Sequence, residues 1–303
     1  KYAGYAGLIA ANGGLEPNPD SVFAKKHGFK LRIKLSEDEG WDRLNTGQTG
    51  VTATTADVLA VFGRQFSVTV PVQLGFSRGA DGIVVTSAIR RINDLKGKVV
   101  VTTQHTEAEF FLRFLAQEAG ATVAVVQDQA APPAPDAINL VFAEDGEKAG
   151  ALFAAELKNP SPRLAGCVTW DPTTTEVVQA SGGKAKLLVT NRNLLVIADV
   201  LVVNKGFADQ NPKMVAGLVD GVLEGNRMVR DQPDAALPAV GKAFGWDPAQ
   251  TKRELAKVHL SNLPENLAFF SGAIDMAGSF GGIYQSSVLA YGTAVIPNPV
   301  SSE

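Results

Sequence analysis

The chain has 303 residues, 45% of them apolar and 19% charged, with a formal net charge of −3. That length can bury a large core and exceeds the usual size of one domain, so two domains are expected. The slightly acidic balance argues against a protein that works by neutralising nucleic-acid phosphates. A lone cysteine, Cys167, excludes an intrachain disulfide and a cysteine metal cluster.

The chain begins Lys1-Tyr2-Ala3-Gly4-Tyr5 without a basic and apolar leader, so an exported protein is expected to have lost its signal. Residues 31–35 read as a short strand and Val51-Thr52 as another. A helix is expected from about residue 55 to 62, opened by Thr54 and Thr55 and stopped by Gly63. Residues 68–74 and 83–85 follow as strands.

Residues 92–120 hold the clearest local pattern. Asn93-Asp94 leads into a Lys-Gly turn, a valine run, the polar loop Gln104-His105-Thr106-Glu107, and an apolar-periodic helix. Thr106 with Glu109 three residues on fits a capping box. A loop between a strand and a helix start is where a parallel sheet presents ligand-binding groups, because helix amides point outward there and favour negative charge.

A weak strand at 122–126, a proline-bearing loop at 129–136, a strand at 138–142 and an alanine-rich helix at 148–157 come next. A strand at 167–169 ends in Trp170-Asp171-Pro172 before a helix at 174–180. Cys167, between Gly166 and Val168, reads as a buried small apolar residue. Val189 and the run 195–203 are apolar and rich in branched side chains. From Asn211 the pattern is almost purely helical, with Asn211-Pro212 as N-cap and first-turn proline and Val215, Leu218, Val219, Val222 and Leu223 at helical spacing.

Repeated strand-then-helix units predict a mostly parallel sheet with helices on both faces. The apolar runs 83–85 and 195–203 are the segments placed to carry the chain from one α/β domain to another and back. No window reaches the roughly 18 consecutive apolar residues of a membrane span.

The motifs, taken in order, resemble one family. They are Tyr2-Ala3-Gly4-Tyr5; Ser36-Glu37-Asp38-Glu39-Gly40-Trp41; Leu44 with Gly47-Gln48; Thr52-Ala53-Thr54-Thr55-Ala56-Asp57; and Asp81-Gly82-Ile83-Val84-Val85. Then come Asp94-Leu95-Lys96-Gly97-Lys98, Trp170-Asp171-Pro172, and Val202-Val203-Asn204-Lys205-Gly206-Phe207 ahead of Asn211-Pro212. This set resembles the periplasmic substrate-binding proteins of ABC importers for nitrate, aliphatic sulfonates and taurine. The likeness spans nearly the whole chain, and its most specific part is Asp-Leu-Lys-Gly-Lys before a valine strand and a threonine turn.

The resemblance implies an α/β, two-lobed periplasmic binding protein fold of type 2, with two crossing strands as hinge and a mainly helical C-terminal part. Lobe one maps to 1–83 and 203–303, lobe two to 84–202. It implies a ligand clamped between the lobes on closure, an ABC permease and ATPase as partners, and a periplasmic or membrane-anchored extracytoplasmic location. A monomer without cofactor or nucleic-acid partner is expected. Two departures stand out: Gln104-His105-Thr106 fills a loop where many relatives carry Gly-Ser or Gly-Thr, and Pro132-Pro133 with Pro135 stands where relatives have an alanine-rich helix and a Gly-x-Val-Asp step.

The candidate ligand contacts are Tyr5, Trp41, Thr54, Thr55 and Arg78 from lobe one, and Gln104, His105, Thr106, Trp170, Asp171 and Arg192 from lobe two. Hydroxyls, helix amides and an arginine suit an anion, whereas carboxylates within an aromatic box suit an amine. The acidic run before Trp41, together with Glu107, favours a ligand bearing an amino group as well as an acid group, such as taurine or an aminophosphonate. Each residue also has a plainer role: threonines cap helices, Trp41 packs within its own lobe, and Arg78 pairs with Asp81.

An enzyme is disfavoured. His27, His105 and His259 lack metal-site spacing, no Gly-x-Ser-x-Gly or phosphate-loop lysine is present, and Gly4 with Gly7 is not a dinucleotide fingerprint. The second reading is a thiamine-pyrimidine-synthase-like enzyme, or a pyrimidine-precursor binder, on the same fold.

Overall fold

A computed structural model describes residues 1–36, 38–63, 65–273 and 278–302. Glu37, part of the acidic run before Trp41, lies outside the described residues. The chain divides into two compact units, one comprising Lys1–Ser77, Leu195–Tyr284 and Pro299–Glu303, the other Arg78–Leu194 and Gln285–Asn298.

The first unit opens with α1 (Ala6–Asn12), α2 (Val22–His27), α3 (Trp41–Asn45), β1 (Val51–Thr55), α4 (Val58–Phe62) and β2 (Val68–Ser77). The second holds β3 (Asp81–Thr86), β4 (Val99–Thr103), α5 (Glu107–Glu118), β5 (Thr122–Val125), β6 (Ala137–Ala143), α6 (Gly146–Glu156), β7 (Leu164–Trp170), α7 (Thr173–Ala180) and β8 (Ala185–Thr190). The chain then returns to the first unit as β9 (Ala198–Asn204), α8 (Lys205–Gln210), α9 (Pro212–Asp231), α10 (Pro233–Phe244), α11 (Pro248–Leu255), β10 (Val258–Leu260) and α12 (Leu263–Ser271). Helix α13 (Phe280–Tyr291) gives its first residues to the first unit and the rest to the second.

In the first unit the sheet order is β1-β9-β2-β10, and every pair is antiparallel. Val72 and Leu74 of β2 and Leu201 and Val203 of β9 pack with Phe23, Leu218 and Val222, so the apolar stripe of α9 covers the sheet. Helices α1 and α9 approach at Gly7 and Gly225, where a side chain on Gly225 would collide with the carbonyl oxygen of Gly7. Only glycine permits that spacing.

In the second unit the order is β5-β6-β4-β7-β3-β8. Strands β5, β6, β4 and β7 run parallel, and β3 runs antiparallel to both neighbours. Helices cover the sheet, which is why β4 is a near-continuous valine run rather than an alternating one. Val84, Val99, Val101, Phe153, Leu164, Cys167 and Val177 form its core. Burial pushes the Cys167 thiol up to about 12, so it packs as a small apolar group.

The structure departs from the sequence expectations at several points. Residues 31–35 alternate in burial as a strand would, yet they join no sheet; Ile33 N–H donates to Leu15 O at 2.8 Å. The helix expected from residue 55 starts at Val58, because Thr54 and Thr55 are laddered to Val200 and Asp199 of β9. Residues 83–85 lie inside the second sheet and the strand at 198–204 inside the first, so the chain passes between units in the turns beside them, after Ser77 and after Leu194. The C-terminal part is mainly helical as expected, but its short strand β10 pairs with β2, and residues 285–298 belong to the second unit. Asn211 precedes α9 with Pro212 in its first turn, but its side chain donates back to Phe207 O at 2.9 Å instead of capping forward.

Candidate functional site

Parallel strands place their following loops at one sheet edge, and in the second unit that edge gathers all the candidate residues it contains. Gln104, His105 and Thr106 follow β4, Asp145 follows β6, and Trp170 ends β7. Because β3 is antiparallel, its first residue, Asp81, pairs with Trp170, so the turn carrying Arg78 lies at the same edge. The Arg192 turn follows β8 there, and Gly79 N–H donates to Asn191 Oδ1 at 2.7 Å, joining the two arginine turns. Arg78 and Arg192 are both exposed. A depression of about 480 Å³ lined by Arg90, Arg91 and Asp94 lies at the opposite edge, beyond the end of β3.

The loop after β4 has unusual geometry. His105 has a φ of 55°, in the left-handed region, and is the one non-glycine residue with positive φ among those described. Its backbone N–H donates to Glu109 Oε2 at 2.6 Å. The expected capping box therefore forms only in part: the Glu109 carboxylate reaches the residue before the N-cap, while Thr106 Oγ1 donates to Thr103 O at 2.9 Å and leaves the helix amides uncapped by its side chain. Buried Glu109 also takes Arg113 Nε at 2.8 Å. The Arg113 guanidinium lies 5.1 Å from the centre of the Tyr291 ring, which meets the His105 imidazole edge-on at 6.2 Å. Half-buried Glu107, in the first turn of α5, has its carboxyl pushed up to about 7 by desolvation.

Trp170 packs over Gly146 at the start of α6, where an added Cβ would stand 2.7 Å from the indole Cη2. Asp171 has a structural task. Its Oδ1 accepts from Thr174 Oγ1 at 2.6 Å and from Thr175 N–H at 3.1 Å and Oγ1 at 2.6 Å, which caps α7.

In the first unit, Thr55 pairs directly with Asp199, so both side chains stand on one face at the end of β1. Tyr2 Oη donates to Asp199 Oδ2 at 2.9 Å, and the Tyr2 ring meets Tyr5 edge-on at 5.4 Å. Thr54 Oγ1 donates to Glu39 Oε1 at 2.7 Å. Trp41 is buried against Phe62 and Phe66, at 5.6 and 5.3 Å, and the two phenylalanine rings also meet each other at 6.4 Å; its Nε1 donates to Glu39 Oε2 at 2.5 Å. This is the plainer of the two roles open to it.

Of the acidic run before Trp41, Asp38 and Glu39 are thus engaged by the chain. Glu39 holds Trp41 and Thr54, and the Arg43 guanidinium, 2.6 Å from Asp38, keeps that carboxyl below the ordinary carboxylate range. Among the described residues, no group of three or more His, Cys, Asp or Glu side chains is placed to hold a metal ion.

Sequence reasoning missed Asp199, Asn191 and Tyr291, and it read Glu39 only as part of the acidic run. Glu109 was legible as part of the capping box. Tyr291, 185 residues from Thr106, carried no local signal.

No protein-family model matches the chain, and no curated protein matches it by sequence. Solved structures do match. The alkanesulfonate-binding protein of Xanthomonas axonopodis pv. citri, bound to MOPS, aligns with a TM-score of 0.70 at 16% identity, covering 98% of this chain and 92% of that one. The periplasmic aliphatic sulphonate-binding protein of Escherichia coli aligns at 0.67 and 16% identity, covering 99% and 92%. A Candida albicans protein described as exhibiting the generic periplasmic binding protein fold aligns at 0.64 and 11%, covering 98% and 90%. Identities this low speak for the fold alone. The fold of this chain is that of the periplasmic binding proteins.

Proposed function

We propose that this chain is the solute-binding protein of an ABC importer, working outside the cytoplasm and delivering its ligand to a permease and ATPase. The ligand is a small polar organic acid of the sulfonate, taurine-like or aminophosphonate-like class, captured by closure of the two units upon it. The observation that carries this reading is the match in fold, over 98% of the chain, to a protein described as alkanesulfonate-binding.

The chemistry of the second unit supports it. One sheet edge offers the N-terminus of α5, the Thr106 hydroxyl, the His105 imidazole, the Trp170 indole and two exposed arginines, a set suited to an anionic head group. In the first unit Tyr5, Thr54 and Thr55 are the ligand-facing candidates, whereas Trp41 supports the fold. With Asp38 and Glu39 already engaged, the acid group is the part of the ligand that the chain is best equipped to hold. Ligand that binds the closed arrangement better shifts the population toward it.

A thermal-shift screen of alkanesulfonates, taurine, phosphonates, amino acids and pyrimidines tests the reading. A ligand at about 1,000 times its Kd contributes roughly 4 kcal/mol, so a sulfonate among the strongest stabilisers is the expected result. Mass spectrometry of the ligand released on denaturation separates a binder, which returns it unaltered, from an enzyme. Stabilisation by pyrimidines alone, or an altered ligand, contradicts the proposal.

A further inference from the structure

We propose that Glu109, Arg113 and Tyr291 are positioning residues that hold His105 in its left-handed conformation and so set what the loop after β4 presents to a ligand. A non-glycine residue in that region is strained, and it persists only where its surroundings hold it there. Here the surroundings form a chain of contacts. The His105 N–H is fixed by the Glu109 carboxylate at 2.6 Å. That carboxylate is fixed by Arg113 at 2.8 Å, and both side chains are buried. A buried ion pair of this kind contributes little net stability against apolar residues of the same size, so its geometric effect is the part that matters.

Tyr291 completes the arrangement from the far end of the chain. Its ring lies under Arg113 and against the His105 imidazole, and its hydroxyl donates to Thr106 O at 3.5 Å. It is 4% exposed, and it comes from the C-terminal segment grouped with the second unit. A helix needing only a capped first turn has no use for a residue 185 positions from Thr106. A loop whose histidine must face one way does.

This inference rests on the reading that His105 contacts ligand, and the experiment separates the two. The His105 Hε1 resonance of the full chain, assigned with His105→Gln, reports the Tyr291 ring current. Calorimetry with ethanesulfonate reports binding. Tyr291→Leu is expected to move the resonance and weaken ethanesulfonate roughly tenfold, while Tyr291→Phe, which keeps the ring, leaves both near the unaltered values. Leu289→Ala, exposed on the same helix, is expected to change neither.

An unmoved resonance and unchanged affinity in Tyr291→Leu overturn the proposal. Should that variant not fold, amide exchange on the unaltered chain decides it. The His105 amide, bonded to a buried carboxylate, is expected to be protected, and exchange at the free-peptide rate overturns the proposal. If the unaltered chain binds no sulfonate, the functional reading falls, while the resonance and the exchange rate still judge the positioning of His105.

Discussion

The phenolic hydroxyl of Tyr2 donates to Asp199 Oδ2 at 2.9 Å and ties the start of the chain to β9, 197 positions on. Asp199 is 3% exposed, so the loss of a donor leaves buried charge less well satisfied. Tyr2→Phe is expected to lower stability by about 1.5–3 kcal/mol, the range for a hydrogen bond to a charged group. Urea unfolding checks it: the midpoint falls at unchanged m. A midpoint equal to that of the unaltered chain contradicts the assignment.

Gly225 marks the closest approach of α1 and α9. An alanine there meets the backbone carbonyl of Gly7, which has no rotamer by which to yield. Gly225→Ala is expected to destabilise by about 1–3 kcal/mol or more, as overpacking does, despite the better helix propensity of alanine. A rise in Tm would show that the two helices are not packed as described.

Trp41 gives a test of structural against ligand-contacting role. Truncating a buried indole stacked on two phenylalanines is expected to cost about 3–5 kcal/mol in Trp41→Ala. In Trp41→Phe the stack survives, so sulfonate affinity measured by calorimetry is expected to stay within about twofold. A large loss of affinity in Trp41→Phe would return Trp41 to the ligand contacts.

Glu107 makes stability depend on pH. Its carboxyl rises from 4.5 to about 7 through burial, so between those values the folded chain keeps a proton that the unfolded chain gives up. The contribution is therefore full below about 4.5 and is lost as pH climbs through about 7, with roughly 3 kcal/mol as its upper value. Glu107→Gln is expected to flatten the fall in Tm across that window. An unchanged slope in the variant places the titration elsewhere.

Much of the second unit was legible because its strands and helices alternate and its central strands β4, β6 and β7 are largely buried on both faces. The valine run of β4, the strand before Trp170 and the helix after it all read directly. The first unit was harder. Thr54 and Thr55 looked like a helix start, but ladder pairing with β9 took their backbones into a sheet, a long-range effect that no local pattern carries. The Glu109 signal was real, yet the carboxylate chose the strained His105 amide over the N-cap amide. Asp199 sat unnoticed inside an apolar strand, where only the fold shows it meeting Tyr2. Tyr291 was invisible because its partners lie nearly two hundred positions away.

The most direct test of the central claim is isothermal titration of the purified chain with ethanesulfonate and taurine, beside the double variant His105→Ala, Trp170→Ala. The account predicts saturable one-site binding to the unaltered chain and its loss in a double variant that still unfolds cooperatively. Undiminished sulfonate binding by the folded double variant, or no binding of either compound by the unaltered chain, would contradict it.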